Sequence, residues 1–147
     1  MAMSKKCSAN AETSSVKIMK TGKLSFRIHH PEHDLSSIGA RLGVIPYRIW
    51  KRGEPKTTPK GRRLTGHREA SYCAIRLQLE EESISETIRE FLLKLEQHQE
   101  YFLQLSASGA KLEFYVTLSG ESKLAEEFDW KLLARLANLH VSFQIEG

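Results

Sequence analysis

Four stretches of this chain alternate apolar and polar residues with a period of two, and between them lie stretches whose apolar residues recur every three or four positions. This constrains the fold more than any other feature. A half-buried strand and an amphipathic helix each leave one apolar side that must be covered by the other. In KLSFRIH, Leu24, Phe26 and Ile28 point one way and Ser25, Arg27 and His29 the other. SYCAIRLQLE repeats the pattern through Cys73, Ile75, Leu77 and Leu79, KLEFYVTL through Leu112, Phe114, Val116 and Leu118, and VSFQIE through Val141, Phe143 and Ile145.

The intervening stretches read as helices. DLSSIGARLG has Asp34 or Ser36 as a cap, Leu35, Ile38 and Leu42 on one stripe, and Gly43 placed to stop the helix in a left-handed conformation. Val44 to Trp50 reads as a further turn of helix. SISETIREFLLKLEQHQEYFLQL is predicted as one long helix, opened by a Ser83/Glu86 capping box, with Ile84, Ile88, Phe91, Leu92, Leu95 and Phe102 facing in. A last helix begins at an Asp129 cap and turns Leu132, Leu133, Leu136 and Ala137 inward.

The order strand, helix, strand, helix, strand, helix, strand predicts an α+β domain over residues 23–147 with a ferredoxin-like layout, a four-stranded sheet carrying its helices on one face. KLSFRI with DLSSIGARLG, and KLEFYV with DWKLLARLAN, suggest a duplicated strand-helix-strand unit. Residues 1–22 read as a loosely ordered tail in which VKIMK adds a short strand. The outward strand residues Ser25, Arg27, His29, Arg76, Gln78, Glu113, Tyr115, Thr117, Ser142 and Gln144 are mostly polar, which leaves one sheet face open to solvent or a partner.

A chain of 147 residues buries enough apolar surface to fold without a disulfide or a structural metal, and its two cysteines, Cys7 and Cys73, make no disulfide framework. Cys73, in register with Ile75 and Leu77, reads as a small buried hydrophobe. No apolar run reaches the length of a membrane span, and MAMSKKCSANAETSS has no apolar segment of the secretory kind. The expectation is a cytoplasmic protein that does not enter a membrane.

The net charge of +4 is unevenly placed. Residues 48–68 hold eight Lys and Arg against Glu54 alone, a local +7, while the remainder holds fourteen against seventeen Asp and Glu, or −3. Three prolines and three glycines between residues 46 and 66 predict an exposed, solvated loop. Its candidate binding residues are Trp50, Lys51, Arg52, Glu54, Lys60, Arg62, Arg63 and Arg68.

The segment DLSSIGARLGVIPYRIWKRGEPKTTPKGR, followed by strand, long helix, strand and LLARLANLHVSFQIEG, resembles the bacterial family described as domain of unknown function 4279, over residues 23–146. The marks are Leu42-Gly43, Pro46, Gly53-Glu54-Pro55 and Gly61. Such proteins often place a tryptophan where the second strand begins, and here Cys73 stands in that place. The resemblance supports the fold expectation and carries over no activity, cofactor or catalytic residue.

IHHPEHD offers His29, His30, Glu32, His33 and Asp34, residue types that ligate zinc or iron. Successive histidines on a strand point to opposite faces, however, and Asp34 suits a helix cap, so no metal site is expected. No phosphate-binding loop, dinucleotide fingerprint, nucleophile elbow or cysteine with a neighbouring base is present, so no catalytic residue or cofactor is assigned. The functional expectation is a non-enzymatic module that binds a protein partner through the open sheet face or the basic segment. The alternative is binding of nucleic acid or another polyanion through residues 48–68, against which stands the shortage of aromatic residues after Trp50.

Overall fold

The computed structural model describes residues 22–81, 83–119 and 125–147. In chain order its elements are β1 (Lys23–His30), α1 (Ile38–Leu42), β2 (Arg48–Trp50), β3 (Pro55–Thr57), β4 (Arg63–His67), β5 (Ser71–Leu77), α2 (Ile84–Glu96), α3 (Gln99–Ala107), β6 (Lys111–Thr117), α4 (Trp130–Asn138) and β7 (Val141–Glu146). The VKIMK strand and nearly all of the expected tail fall outside the described residues.

All four alternating segments form strands, and β1 is central because both of its neighbours can pair with it along almost its full length. β5 and β6 flank it, each antiparallel, with Phe26 opposite Ile75 on one side and Phe114 on the other. β7 adds parallel to β6, and β2 adds antiparallel to β5, so the order is β2-β5-β1-β6-β7. The α+β class stands, but among the described residues the sheet has five strands, not four. The first strand-helix-strand unit returns antiparallel (β1 to β5) and the last returns parallel (β6 to β7), so the pairing does not repeat one unit twice as a duplicated ferredoxin-like layout would. The physical difference lies in the connections. Between β1 and β5 stand only a five-residue helix and an inserted ribbon, whereas α4 carries the chain back over the sheet to start β7 beside β6.

The core lies between one face of this sheet and the helices. Phe26 is its centre, with ring centroids 5.4 Å from Phe91, 6.4 Å from Phe102 and 5.2 Å from Phe114. Leu24, Phe26, Ile28, Cys73 and Phe114 are fully buried, as the period-two pattern requires. The predicted long helix breaks at Gln97 and His98 into α2 and α3, and no glycine or proline marks the break. Its predicted apolar stripe is buried throughout, from Ile84 to Phe102.

Helix ends are held partly as expected. Ser83 Oγ accepts from the Glu86 N–H at 3.1 Å, but the Glu86 carboxylate turns to Arg89 instead of completing the box. Asp129 Oδ1 accepts from the Leu132 N–H at 2.9 Å. Asp34 caps a turn, not α1, by accepting from the Ser36 N–H at 2.9 Å, and Ser37 takes the N-cap position without a side-chain bond. Gly43 ends α1 at φ 74°, as its position predicts. On α4, Leu132 and Leu136 face the core, while Leu133 and Ala137 turn outward, contrary to expectation.

Candidate binding site on the open sheet face

The basic segment is neither a turn of helix nor a loop. Arg48 pairs with Ala74 and Trp50 with Tyr72. The Gly53 N–H then donates to the Arg68 carbonyl at 2.9 Å and the Arg68 N–H to the Glu54 carbonyl at 2.8 Å. Pro55 next pairs with His67. β3 and β4 therefore form a separate two-stranded arm, joined to the edge of the five-stranded sheet across the turn at Lys51–Glu54; it changes register between Pro55 and Thr57 and closes in a turn at Thr58–Arg62. The prolines and glycines that suggested an exposed loop sit where such a ribbon tolerates them: Pro55 at the start of β3, Pro59 in the closing turn, and Gly53, Gly61 and Gly66 at positive φ.

This geometry divides the eight candidate residues. Trp50 and Arg68 come together, the guanidinium lying 3.6 Å from the ring centroid, while Arg68 Nη2 donates to the Thr57 carbonyl at 2.8 Å. Arg68 thereby ties the arm to the sheet. Lys51 and Glu54 form the turn at the base of the arm, and Arg52 stands 3.6 Å from Glu32. Lys60, Arg62 and Arg63 are exposed at the tip, with no ion pair among the described residues.

The sheet face opposite the core gathers residues that the sequence scatters. Trp50 stacks on Tyr72 (4.6 Å between centroids), and Tyr72 on His29 (4.8 Å). Arg48 lies 5.0 Å from the Trp50 ring, Arg76 4.3 Å from Tyr47, and Arg27 3.7 Å from Tyr115. Arg27 also donates to Glu113 Oε2 through Nε at 2.9 Å and Nη2 at 2.5 Å. The Glu113 side chain is only 2% exposed, and its Oε1 accepts no hydrogen bond, with Lys111 Nζ at 3.5 Å as its nearest cation. Arg27, His29, Arg76 and Tyr115 were legible as outward residues from the strand period. Tyr47, Arg48 and Tyr72 were missed, although Tyr72 shares the parity of Arg76 on β5.

The charges on this face affect its titration. Burial alone would raise the Tyr47 phenol, but hydrogen bonds with Ser25 and Arg76 and the nearby Arg76 and Arg27 charges bring it below its usual range. Burial raises Tyr72, and it lowers His29 despite the Glu113 carboxylate beside it.

The histidine cluster is used structurally. His30 Nδ1 accepts from the Glu32 and His33 N–H groups at 3.0 and 2.8 Å, so its proton sits on Nε2 and is shared with Ser108 Oγ at 2.9 Å. His29 faces the other side of the sheet. Among the described residues no group of three or more His, Cys, Asp or Glu is placed to hold a metal ion. Cys73 is fully buried, and burial pushes its thiol up to about 11.

The family described as a domain of unknown function, DUF4279, matches residues 19–146. The chain belongs to the DUF4279 family. No curated protein and no solved structure matches it. The residues that carried the resemblance fall at turns of this DUF4279 domain. Gly43 caps α1, Pro46 lies against Gly39, where a Cβ would come within 2.9 Å of the proline ring, and Gly53 and Glu54 anchor the arm through the Arg68 backbone. Among the described residues, no helix of the DUF4279 domain is long and apolar enough to cross a membrane.

Proposed function

We propose that this DUF4279 domain is a non-enzymatic binding module whose open sheet face, continued by the basic arm, receives a protein partner with an acidic surface. The observation that carries this reading is the placement of Arg27, Arg48, Arg68 and Arg76 on one face that no described helix covers, each laid against an aromatic ring. Guanidiniums held against rings lose little further freedom on binding, and those of Arg48 and Arg76, which make no ion pair among the described residues, are the ones that meet the partner's carboxylates.

Binding of nucleic acid through Lys60, Arg62 and Arg63 is the second reading, favoured by their exposure at the arm tip. Base stacking is poorly supported, because Tyr47, Trp50, Tyr72 and Tyr115 each already carry a guanidinium or a second ring.

The test compares three forms of the domain in recovering a partner from the producing cell: wild type, Arg48→Glu/Arg76→Glu on the face, and Lys60→Glu/Arg62→Glu/Arg63→Glu at the tip. Binding of each form to single-stranded DNA is titrated against salt in parallel. Loss of the partner in the face variant supports the proposal. Tight DNA binding at about 150 mM salt that only the tip variant abolishes would replace it with the second reading. A partner indifferent to the face charges would refute it.

A further inference from the structure

The two ends of the sheet differ in how they are protected. β2 is a three-residue strand behind Pro46 and carries Arg48, features that discourage a further strand from adding. β7 has six residues with no charge from Val141 to Ile145, no proline and no bulge, and among the described residues nothing pairs with its outer side. The Leu118 N–H donates to the Glu146 carbonyl at 2.9 Å, so residue 146, and with it 144 and 142, turns its peptide groups toward β6. The N–H and C=O groups of Val141, Phe143 and Ile145 therefore face outward.

An apolar stripe overhangs the same edge. On α4, Leu132 and Leu136 point down into the core, and Arg135 points sideways to α2, donating to Glu96 at 2.8 and 2.9 Å. α2 lies inboard, since its Phe91 packs on Phe26 and Phe114. At about 100° per residue, Leu133 falls on the side of α4 away from α2, together with Trp130 and Ala137, three and four positions off. Leu133 is 50% exposed, Trp130 73% and Ile145 of β7 47%.

We propose that β7 and α4 form the interface between two copies of this chain, joined by a two-fold axis perpendicular to the sheet. Antiparallel pairing centred on Phe143 sets it opposite the partner's Phe143 and sets Val141 opposite the partner's Ile145. These are the residues whose peptide groups are free, so the register satisfies them reciprocally. The same axis keeps both helix layers on one side of the joined sheet and brings the two stripes of Trp130 and Leu133 together over the joint. A foreign strand would satisfy the edge and a foreign helix the stripe, but a second copy supplies both in the required opposite sense. The basic faces remain uncovered in this dimer.

Sedimentation over a concentration series tests the proposal, with amide exchange as the residue-level readout. Wild type is expected to dimerise, and the Val141, Phe143 and Ile145 amides to exchange faster on dilution. Leu133→Lys and Ile145→Pro should each weaken the dimer by about tenfold or more, whereas Leu93→Lys, on the exposed side of α2, should leave it unchanged. Ile145→Pro removes an N–H that no strand of the monomer uses, and Leu133→Lys replaces an exposed side chain, so thermal unfolding of the dilute monomers should stay close to wild type. A chain that remains monomeric up to about 1 mM would overturn the proposal. So would a dimer indifferent to both variants, or odd-numbered β7 amides already protected in the monomer.

Discussion

His30 shows how one side chain serves the fold with both ring nitrogens. It is 2% exposed, its Nδ1 closes the Pro31–His33 turn as an acceptor, and its Nε2 reaches Ser108, whose hydroxyl passes the chain of bonds to the Leu105 carbonyl at 2.9 Å. A proton on Nδ1 would confront two N–H donors, and burial already holds the pKa below 6.5. A histidine whose pKa is lower in the fold takes up its proton more readily when unfolded. Stability from neutral His30 is therefore complete above pH 6.5 and is lost as pH falls from 6.5 toward the lowered folded value, and His29 acts in the same sense. Thermal unfolding measured from pH 7.5 to 5 should show this decline. His30→Ala should reduce the decline to the part that His29 supplies and cost about 2 kcal/mol at neutral pH through the orphaned turn amides.

At the scale of elements, the start of α2 depends on a residue far along the chain. Glu126 Oε2 accepts from the Ile84 N–H at 2.7 Å, and its Oε1 from the Ser85 N–H at 2.7 Å and the Ser83 hydroxyl at 3.2 Å. The capping box legible at Ser83 and Glu86 is therefore only half formed: the Ser83 N–H donates to the Glu80 carbonyl at 2.7 Å, and Glu126 takes the next two free amides, which local sequence did not reveal. Burial would raise the Glu126 pKa, but the bonds from Ser85, Ile84 and Ser83 hold it below 4.5. A depressed carboxylate stabilises the fold above its unfolded pKa, so this contribution is lost as pH falls below about 4.5. Glu126→Ala is expected to cost about 1 to 2 kcal/mol in denaturant unfolding at neutral pH, and the variant should be less sensitive than wild type to acid in that range.

For the whole molecule, Arg68 sets how the arm sits on the sheet. Stacked on Trp50 and bonded to the Thr57 carbonyl, it adds a side-chain tie to the bonds that Arg52 makes with Ser71 and Glu32 at the base of the ribbon. Arg68→Ala should speed amide exchange in β3 and β4 while moving the global unfolding temperature by only a few degrees, because the Phe26 core is untouched. Rapid exchange throughout the sheet would show instead that the arm supports the whole domain. The four alternating strands, the apolar stripes of the first two predicted helices, the buried Cys73, the caps at Ser83 and Asp129 and the family were legible in the chain itself, whereas half of the α4 stripe was not. They depend on residues close in sequence, where the period of two or of 3.6 states which side is buried. The strand order, the parallel return of β7, the arm in place of a loop, and the meeting of Arg27, Arg48, Arg68 and Arg76 with Tyr47, Trp50, Tyr72 and Tyr115 were decided only by tertiary pairing. Alternation says which face a side chain takes, but not which strand lies beside it, and that choice belongs to the register of contacts between segments distant in the chain.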